Sequence, residues 1–153
     1  MVQGKWFPQG SDITIPLDLR RAIFQRGRDA LDGEAQQVVV CDGEIPVGIA
    51  RLWWKEGAFY LGELGVLPGA RKRGFGDLLV RLVLYKVLVH HGRQVRLAAP
   101  PEMVPFFTRY GFTPDEKEAA QKDVISMSLW AQNIRLDACQ GGCQGCPTGS
   151  VSK

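Results

Sequence analysis

A chain of 153 residues with 45% apolar content and a formal net charge of +3 is long enough to bury one core and too short for two domains of ordinary size. Its basic residues are scattered apart from one cluster at Arg71-Lys72-Arg73, which argues against the broad basic face of a nucleic-acid binder. The sequence holds no apolar run long enough to span a bilayer and no apolar segment behind a basic start at its N-terminus, so a soluble, cytoplasmic protein without membrane contact is expected.

The residues before Asp18 read as a loop rich in Pro, Gly and Ser. From Asp18 to Arg26, Leu19, Ala22, Ile23 and Arg26 recur at helical spacing, with Asp18 near the start and Gly27 near the end. Gly27 to Gly33 reads as loop. Gln37 to Cys41 is short and β-branched, Asp42-Gly43 is a turn signal, and Val47 to Trp54 resumes a strand pattern. The result is a hairpin with Pro46 at a strand start, where its missing N–H costs least. A turn at Glu56-Gly57 leads into Ala58 to Val66, completing an antiparallel meander. Trp53 and Trp54 are adjacent and so point to opposite faces, one toward the core and the other toward the surface or a groove.

Beyond Pro68 the chain becomes glycine-rich and basic as far as Gly76. It then presents Leu78, Leu79, Leu82, Val83, Tyr85 and Val89 as an apolar helix face between Asp77 and His91. Gly92 ends that helix, and His90 and His91 suit its C-terminal dipole or simple solvation. Val95 to Ala99 is a short strand, Pro100-Pro101 a break, Glu102 to Arg109 a short helix, Tyr110-Gly111-Phe112 a turn, and Val124 to Trp130 a last strand. Phe24, Phe59, Phe106 and Phe112 are expected in the core. This order predicts an α/β (α+β) domain on a mixed sheet over residues 1–132, followed by a flexible tail over residues 133–153.

A strand running into Arg71-Lys72-Arg73-Gly74-Phe75-Gly76 and then a helix is a device for holding phosphate. The glycines permit close approach, the helix start offers unpaired N–H groups and positive potential, and the basic side chains add mobile charge. A pyrophosphate suits the site, although a glycine loop that only turns the chain has the same spacing. The chain lacks the Gly-x-x-x-x-Gly-Lys-Ser/Thr loop and any Gly-x-Gly-x-x-Gly after an N-terminal strand.

Val66-Leu67-Pro68 followed by Arg71-x-x-Gly74-x-Gly76 resembles the acetyl-CoA signature of the GCN5-related N-acetyltransferases, Arg/Gln-x-x-Gly-x-Gly/Ala. The resemblance extends to the segments Leu19 to Phe24, Val47 to Leu52 and Phe106 to Phe112, and covers roughly residues 15 to 130 in order. It implies a mixed, mostly antiparallel sheet flanked by helices, with the backbone of Leu64, Gly65 and Val66 pairing with the pantetheine of acetyl-CoA. Arg71, Lys72, Arg73, Gly74, Phe75 and Gly76 would take the pyrophosphate, and a small-molecule or protein amine would attack the thioester directly. In similar proteins a tyrosine placed to protonate the leaving sulfur stands where this chain has Phe107, which donates no proton. The preceding strand ends Ala99-Pro100, where Ala-Gln is common. Tyr110, Tyr60 and Tyr85 stand elsewhere. Glu63 is the carboxylate nearest the cofactor strand and a candidate general base acting through water, or else a solvated strand residue; Glu102 is the next candidate. Phe107 also keeps open a non-catalytic acyl-CoA-binding module.

Cys139, Cys143 and Cys146 lie in a glycine-rich segment outside this resemblance. Their Cys-x3-Cys-x2-Cys spacing matches the cluster triplet of radical S-adenosylmethionine enzymes, whose barrel is too large for this chain. Three thiolates in this pattern suit zinc or an iron–sulfur cluster, with a fourth ligand from elsewhere, Cys41 being a candidate, or from a partner protein. Reduced thiols on a disordered tail, a redox switch or a docking tag are the alternatives, and a homodimer remains open.

Overall fold

The computed structural model describes residues 2–115 and 123–136. Strands β1 (Val2–Phe7), β2 (Gln36–Asp42), β3 (Ile45–Lys55), β4 (Ala58–Val66), β5 (Gln94–Ala99), β6 (Thr113–Pro114) and β7 (Ile125–Trp130) build one sheet. Its spatial order is β1-β2-β3-β4-β5-β7-β6, and every neighbouring pair is antiparallel except β4 and β5. Helix α1 (Thr14–Phe24) covers one face. Helix α2 (Phe75–Val89) covers the other and follows β4 directly through a turn, while α3 (Val104–Thr108) follows β5. The mixed, mostly antiparallel sheet flanked by helices is the architecture expected from the sequence. No helix among the described residues is long and apolar enough to cross a membrane.

The period-two alternation of strands sorts the β-branched run of β2 between the two faces. Val38 and Val40 join the larger core under α2 with Ala50, Leu52, Leu79 and Val83. Val39 turns the other way and packs with Leu19, Ile49, Phe7 and Ile13 under α1. The meander, its turn at Gly43 in the left-handed region at φ 67°, and the strand-start Pro46 match the sequence reading. Phe59 and Phe112 are buried as expected.

Several elements differ from the sequence reading. Residues 2–7 form a strand rather than loop, because their ladder partner is Gln37–Asp42 and no local pattern signals so distant a pairing. Helix α1 begins at Thr14, with Asp12 accepting from its N–H and hydroxyl, and ends at Gln25 in the left-handed region at φ 55°, before Gly27. Within the predicted loop, Ala30–Gly33 forms a 3-10 turn closed by reciprocal Asp29 and Asp32 caps. The buried face of α2 is Phe75, Leu79, Val80, Val83, Leu84 and Val87, whereas Tyr85 and Val89 are exposed. The helix is apolar on nearly all sides, so periodicity alone cannot select the inner stripe. The short strand β6 pairs with β7. Trp53 is half-buried and stacks on Tyr60 with centroids 5.7 Å apart, and Trp54 lies on the surface against Phe59, so neither reaches the core. Past β7, Ile134 and Leu136 pack on the larger core.

On the α1 face the core is not purely apolar. Arg20 is completely buried and donates a two-pronged pair of hydrogen bonds to Asp32, both at 2.8 Å. Gln37 donates to the same carboxylate at 3.0 Å and Arg51 at 3.2 Å, while Arg51 also reaches Asp29 at 2.8 Å. One carboxylate therefore joins α1, the 3-10 turn, β2 and β3. Burial alone would raise the Asp32 carboxyl, but the Arg20 hydrogen bonds, the Asp29 N–H and the charges of Arg20 and Arg51 outweigh it and hold the group well below the usual carboxylate range.

Asp32→Ala leaves two buried guanidinium groups without their shared partner and is expected to lower stability by about 3–5 kcal/mol, read from urea denaturation midpoints. A depressed native carboxyl contributes stability that is present at neutral pH. The gap between wild type and variant should therefore start to narrow only below the ordinary carboxylate pKa, and close as pH falls through the depressed native one.

Candidate functional site

Strands β4 and β5 run parallel but pair only at Phe59↔Val95 and Tyr60↔Arg96, and then diverge. The local cause lies on the other edge of β4. Between the pairs Ile49↔Gly65 and Arg51↔Gly62, β3 supplies only Ala50 while β4 supplies both Glu63 and Leu64, and Glu63 adopts φ 50°. An extra residue on one strand bends it away from its neighbour. From Leu61 onward the β5-facing edge of β4 therefore opens into a cavity of about 1220 Å³. Leu97 and Ala98 of β5 line the opposite wall, and the Val66 carbonyl already accepts from Arg71 Nε at 3.0 Å.

The wedge ends at the start of α2. Gly74 occupies the N-cap position at φ 87° with no side-chain cap, a conformation that strongly favours glycine. The first intrahelical bond runs from the Leu78 N–H to the Gly74 carbonyl at 3.0 Å. The N–H groups of Phe75, Gly76 and Asp77 thus lack helical partners, and all three residues line the cavity together with Arg71, Lys72 and Gly74. Arg73 does not line it. Its guanidinium pairs with Asp42 at 2.6 Å and lies over the Phe75 ring, fastening the loop to β2. Leu64, Gly65 and Val66 lie along the open strand, as the sequence reading requires.

Asp77 is an acid in the first turn of α2, beside the donors that favour an anion. Its charge is shared out: Tyr110 Oη donates to Oδ1 at 2.5 Å and Arg81 Nε to Oδ2 at 3.0 Å. Arg81 also donates to the Leu136 carbonyl at 2.9 Å. Burial, followed by the Asp77 hydrogen bond and charge, pushes the Tyr110 phenol above the usual tyrosine range.

Glu63 stands inside the cavity, its side chain 11% exposed. Arg26 Nη2 lies 3.0 Å from Oε2 and Arg51 Nη2 lies 3.8 Å from Oε1, which joins the cavity to the buried Asp32 network. Glu102 lines the same cavity from the exposed end near α3. Phe107 is buried on the cavity wall between Phe106 and Phe112. Tyr110 is engaged with Asp77, Tyr60 is stacked on Trp53, and Tyr85 is exposed on α2. Among the described residues no Cys, Ser, Thr, His or Tyr lines the cavity, leaving it without a thiol or hydroxyl.

Sequence reasoning missed the contribution of α1. Ile23 and Phe24 roof the open strand so closely that a Cβ on Gly65 would meet Phe24 Cζ at 2.7 Å and Ile23 Cγ2 at 2.8 Å. Phe24 therefore lines the cavity rather than filling the core, and Phe106 lines it while also packing against the larger core. A glycine inside a strand was the available signal, since it marks a close approach. Arg26, just past the helix, faces the same space. The cysteines Cys139, Cys143 and Cys146 lie outside the described residues. Cys41 is a half-buried strand residue whose thiol is pushed up by burial, with Lys5 opposing. Among the described residues no group of three or more His, Cys, Asp or Glu is placed to hold a metal.

An opened strand edge that leads to a bare helix N-terminus defines a cleft for an extended ligand with phosphate at one end. The sequence profile of the acetyltransferase (GNAT) domain matches residues 21–129. The uncharacterized N-acetyltransferase YjcF of Bacillus subtilis (strain 168) is 34% identical over 85 residues, 55% of this chain, and the match spans 60% of that protein's length. The crystal structure of an acyl-CoA N-acyltransferase from Pseudomonas aeruginosa shares the fold at TM-score 0.73 and 21% identity, covering 84% of this chain and 99% of that one. A GNAT family acetyltransferase from Elizabethkingia anophelis, solved with acetyl-CoA bound, shares it at TM-score 0.69 and 12% identity, covering 84% and 97%. The chain belongs to the GNAT acetyltransferase family.

Tyr110→Phe removes a hydrogen bond to a carboxylate and is expected to cost about 1.5–3 kcal/mol in a chemical denaturation series. The tyrosinate absorbance step expected of wild type above the ordinary tyrosine range should be missing from this variant's spectrophotometric titration.

Proposed function

We propose that this chain transfers an acetyl group from acetyl-CoA to an amine by direct attack, without a covalent acyl-enzyme. The observation that carries this reading is the β4–β5 wedge ending at the uncapped start of α2. In it the pantetheine arm pairs with the free edge of β4 along Leu64, Gly65 and Val66. The pyrophosphate sits on the N–H groups from Gly74 to Asp77, with Arg71 and Lys72 beside them. Arg73 acts by holding the loop through Asp42. The acetyl-CoA complex of the Elizabethkingia relative and the N-acetyltransferase name of the Bacillus relative support the choice of cosubstrate and reaction.

The acceptor enters from the end of α1, under Ile23, Phe24 and Arg26. Glu63 takes a proton from its ammonium through a water. The amine nitrogen then forms a bond to the acyl carbon, the carbon–sulfur bond breaks, and the nitrogen releases its second proton to solvent, leaving a neutral amide. With Phe107 on the wall and no lining hydroxyl or thiol among the described residues, CoA leaves as thiolate and is protonated by solvent. Most of the rate comes from holding the two reactants in line.

Calorimetric titration with acetyl-CoA, with desulfo-CoA as control, is expected to show saturable binding that Gly74→Glu abolishes. That variant meets open space but strains φ 87° and sets a carboxylate against phosphate. Unchanged affinity in the folded variant would remove the pyrophosphate assignment. Glu63→Gln should lower kcat about a hundredfold or more while cofactor affinity holds. Binding without turnover on a broad amine panel would point instead to a non-catalytic acyl-CoA module.

A further inference from the structure

The acceptor end of the cavity carries two opposite charges side by side. Glu63 is almost enclosed, whereas Arg26 is 60% exposed, 3.0 Å away from it, and rests on the Phe24 ring at 5.2 Å. A guanidinium carries five N–H donors. Among the described residues Glu63 is the only hydrogen-bond partner of Arg26, so most of the fork of this exposed, cavity-lining side chain is left for a ligand.

This arrangement discriminates between kinds of amine. An acceptor that brings only an ammonium to Glu63 competes with Arg26 for the carboxylate, and sets its charge between Arg26 and Arg51 with nothing to offer the displaced guanidinium. A polyamine adds further positive charge to a cavity that Arg71, Lys72, Arg81 and Arg109 also line. An amine with a carboxylate on the adjacent carbon exchanges one ion pair for two: its ammonium meets Glu63 and its carboxylate takes the Arg26 fork, the pairing geometry that guanidinium favours. The side chains that roof this end, Ile23 and Phe24, are apolar.

Building on the acetyl-transfer reading, we propose that the acceptor is a free α-amino acid with an apolar side chain, and that Arg26 is the specificity-determining residue that binds its carboxylate. The arginine lies at the surface, so its replacement spares the core, and far-UV circular dichroism checks the fold of each variant.

The test is the initial rate of CoA release from acetyl-CoA with leucine and with phenylalanine. Each is compared with its amide and with the matching decarboxylated amine, 3-methylbutylamine or phenethylamine. Wild type should favour the amino acid over both analogues by about tenfold or more in kcat/KM, a margin of about 1.4 kcal/mol. Arg26→Ala and Arg26→Gln should bring that ratio near one, chiefly by raising KM for the amino acid, and Arg26→Lys should retain part of it. A wild-type ratio near one, a preference for the amides as peptide N-termini, or a ratio that Arg26→Ala leaves unchanged would overturn the assignment. Saturable acetyl-CoA binding with no CoA release on any of these amines overturns the acceptor while the cofactor site stands. Absence of acetyl-CoA binding overturns the acetyl-transfer reading beneath it.

Discussion

The carboxylate of Asp32 is the point on which the α1 side of the molecule turns. It accepts from Arg20, Gln37 and Arg51 at once, and each donor comes from a different element of the fold. Buried charges are tolerated only when paired and hydrogen-bonded, so these elements hold their positions together. The wider consequence runs through Arg51. It reaches from this cluster to Glu63 on the cavity wall, while α1, anchored by Arg20, delivers Ile23, Phe24 and Arg26 to the same cavity. The electrostatic interior and the cavity wall are one connected set of groups.

The second constraint is geometric. A parallel pair of strands that separates after two registered residues leaves main-chain donors and acceptors facing a cavity, and such groups demand partners. The bulge at Glu63 and Leu64 creates this opening and also turns the Glu63 side chain toward its arginines, so one local irregularity both makes room for a ligand and places the carboxylate beside it. An extended molecule with its own amide groups is the natural complement of such an edge, and the α2 N-terminus supplies an anion site where the edge ends.

Charge around the start of α2 is divided among distinct tasks. Arg73 and Arg71 are engaged with Asp42 and the Val66 carbonyl, holding the loop, while Lys72 remains exposed beside the cavity. Asp77 would oppose an anion there. Its hydrogen bonds from Tyr110 and Arg81 temper that charge and tie α3 and the segment after β7 to the first turns of α2. Tyr110, the tyrosine nearest in sequence to Phe107, is thereby engaged with Asp77.

What was legible in the sequence is what short-range physics encodes. The meander follows from β-branched runs punctuated by Asp42-Gly43 and Glu56-Gly57, and the phosphate loop from basic residues and glycines set directly between strand and helix. Both depend on neighbours within a few positions. Period-counting failed where composition was uniform, as on α2, whose apolar residues surround the axis, and where a partner lay far along the chain, as with β1 and Gln37–Asp42. Nothing local in the sequence singles out Arg20 as buried, because only the approach of Asp32 and Gln37 makes its burial tolerable. Glu63 was singled out from its strand, but its two arginine partners come from α1's end and from β3. The sequence by itself determined the β2–β3–β4 meander and the strand, glycine-rich loop and helix that follow it, since those rest on local conformational preference. Tertiary structure alone decided which charges are buried, which phenylalanines line the cavity and what faces Glu63, because each depends on groups that only folding brings within a few ångströms.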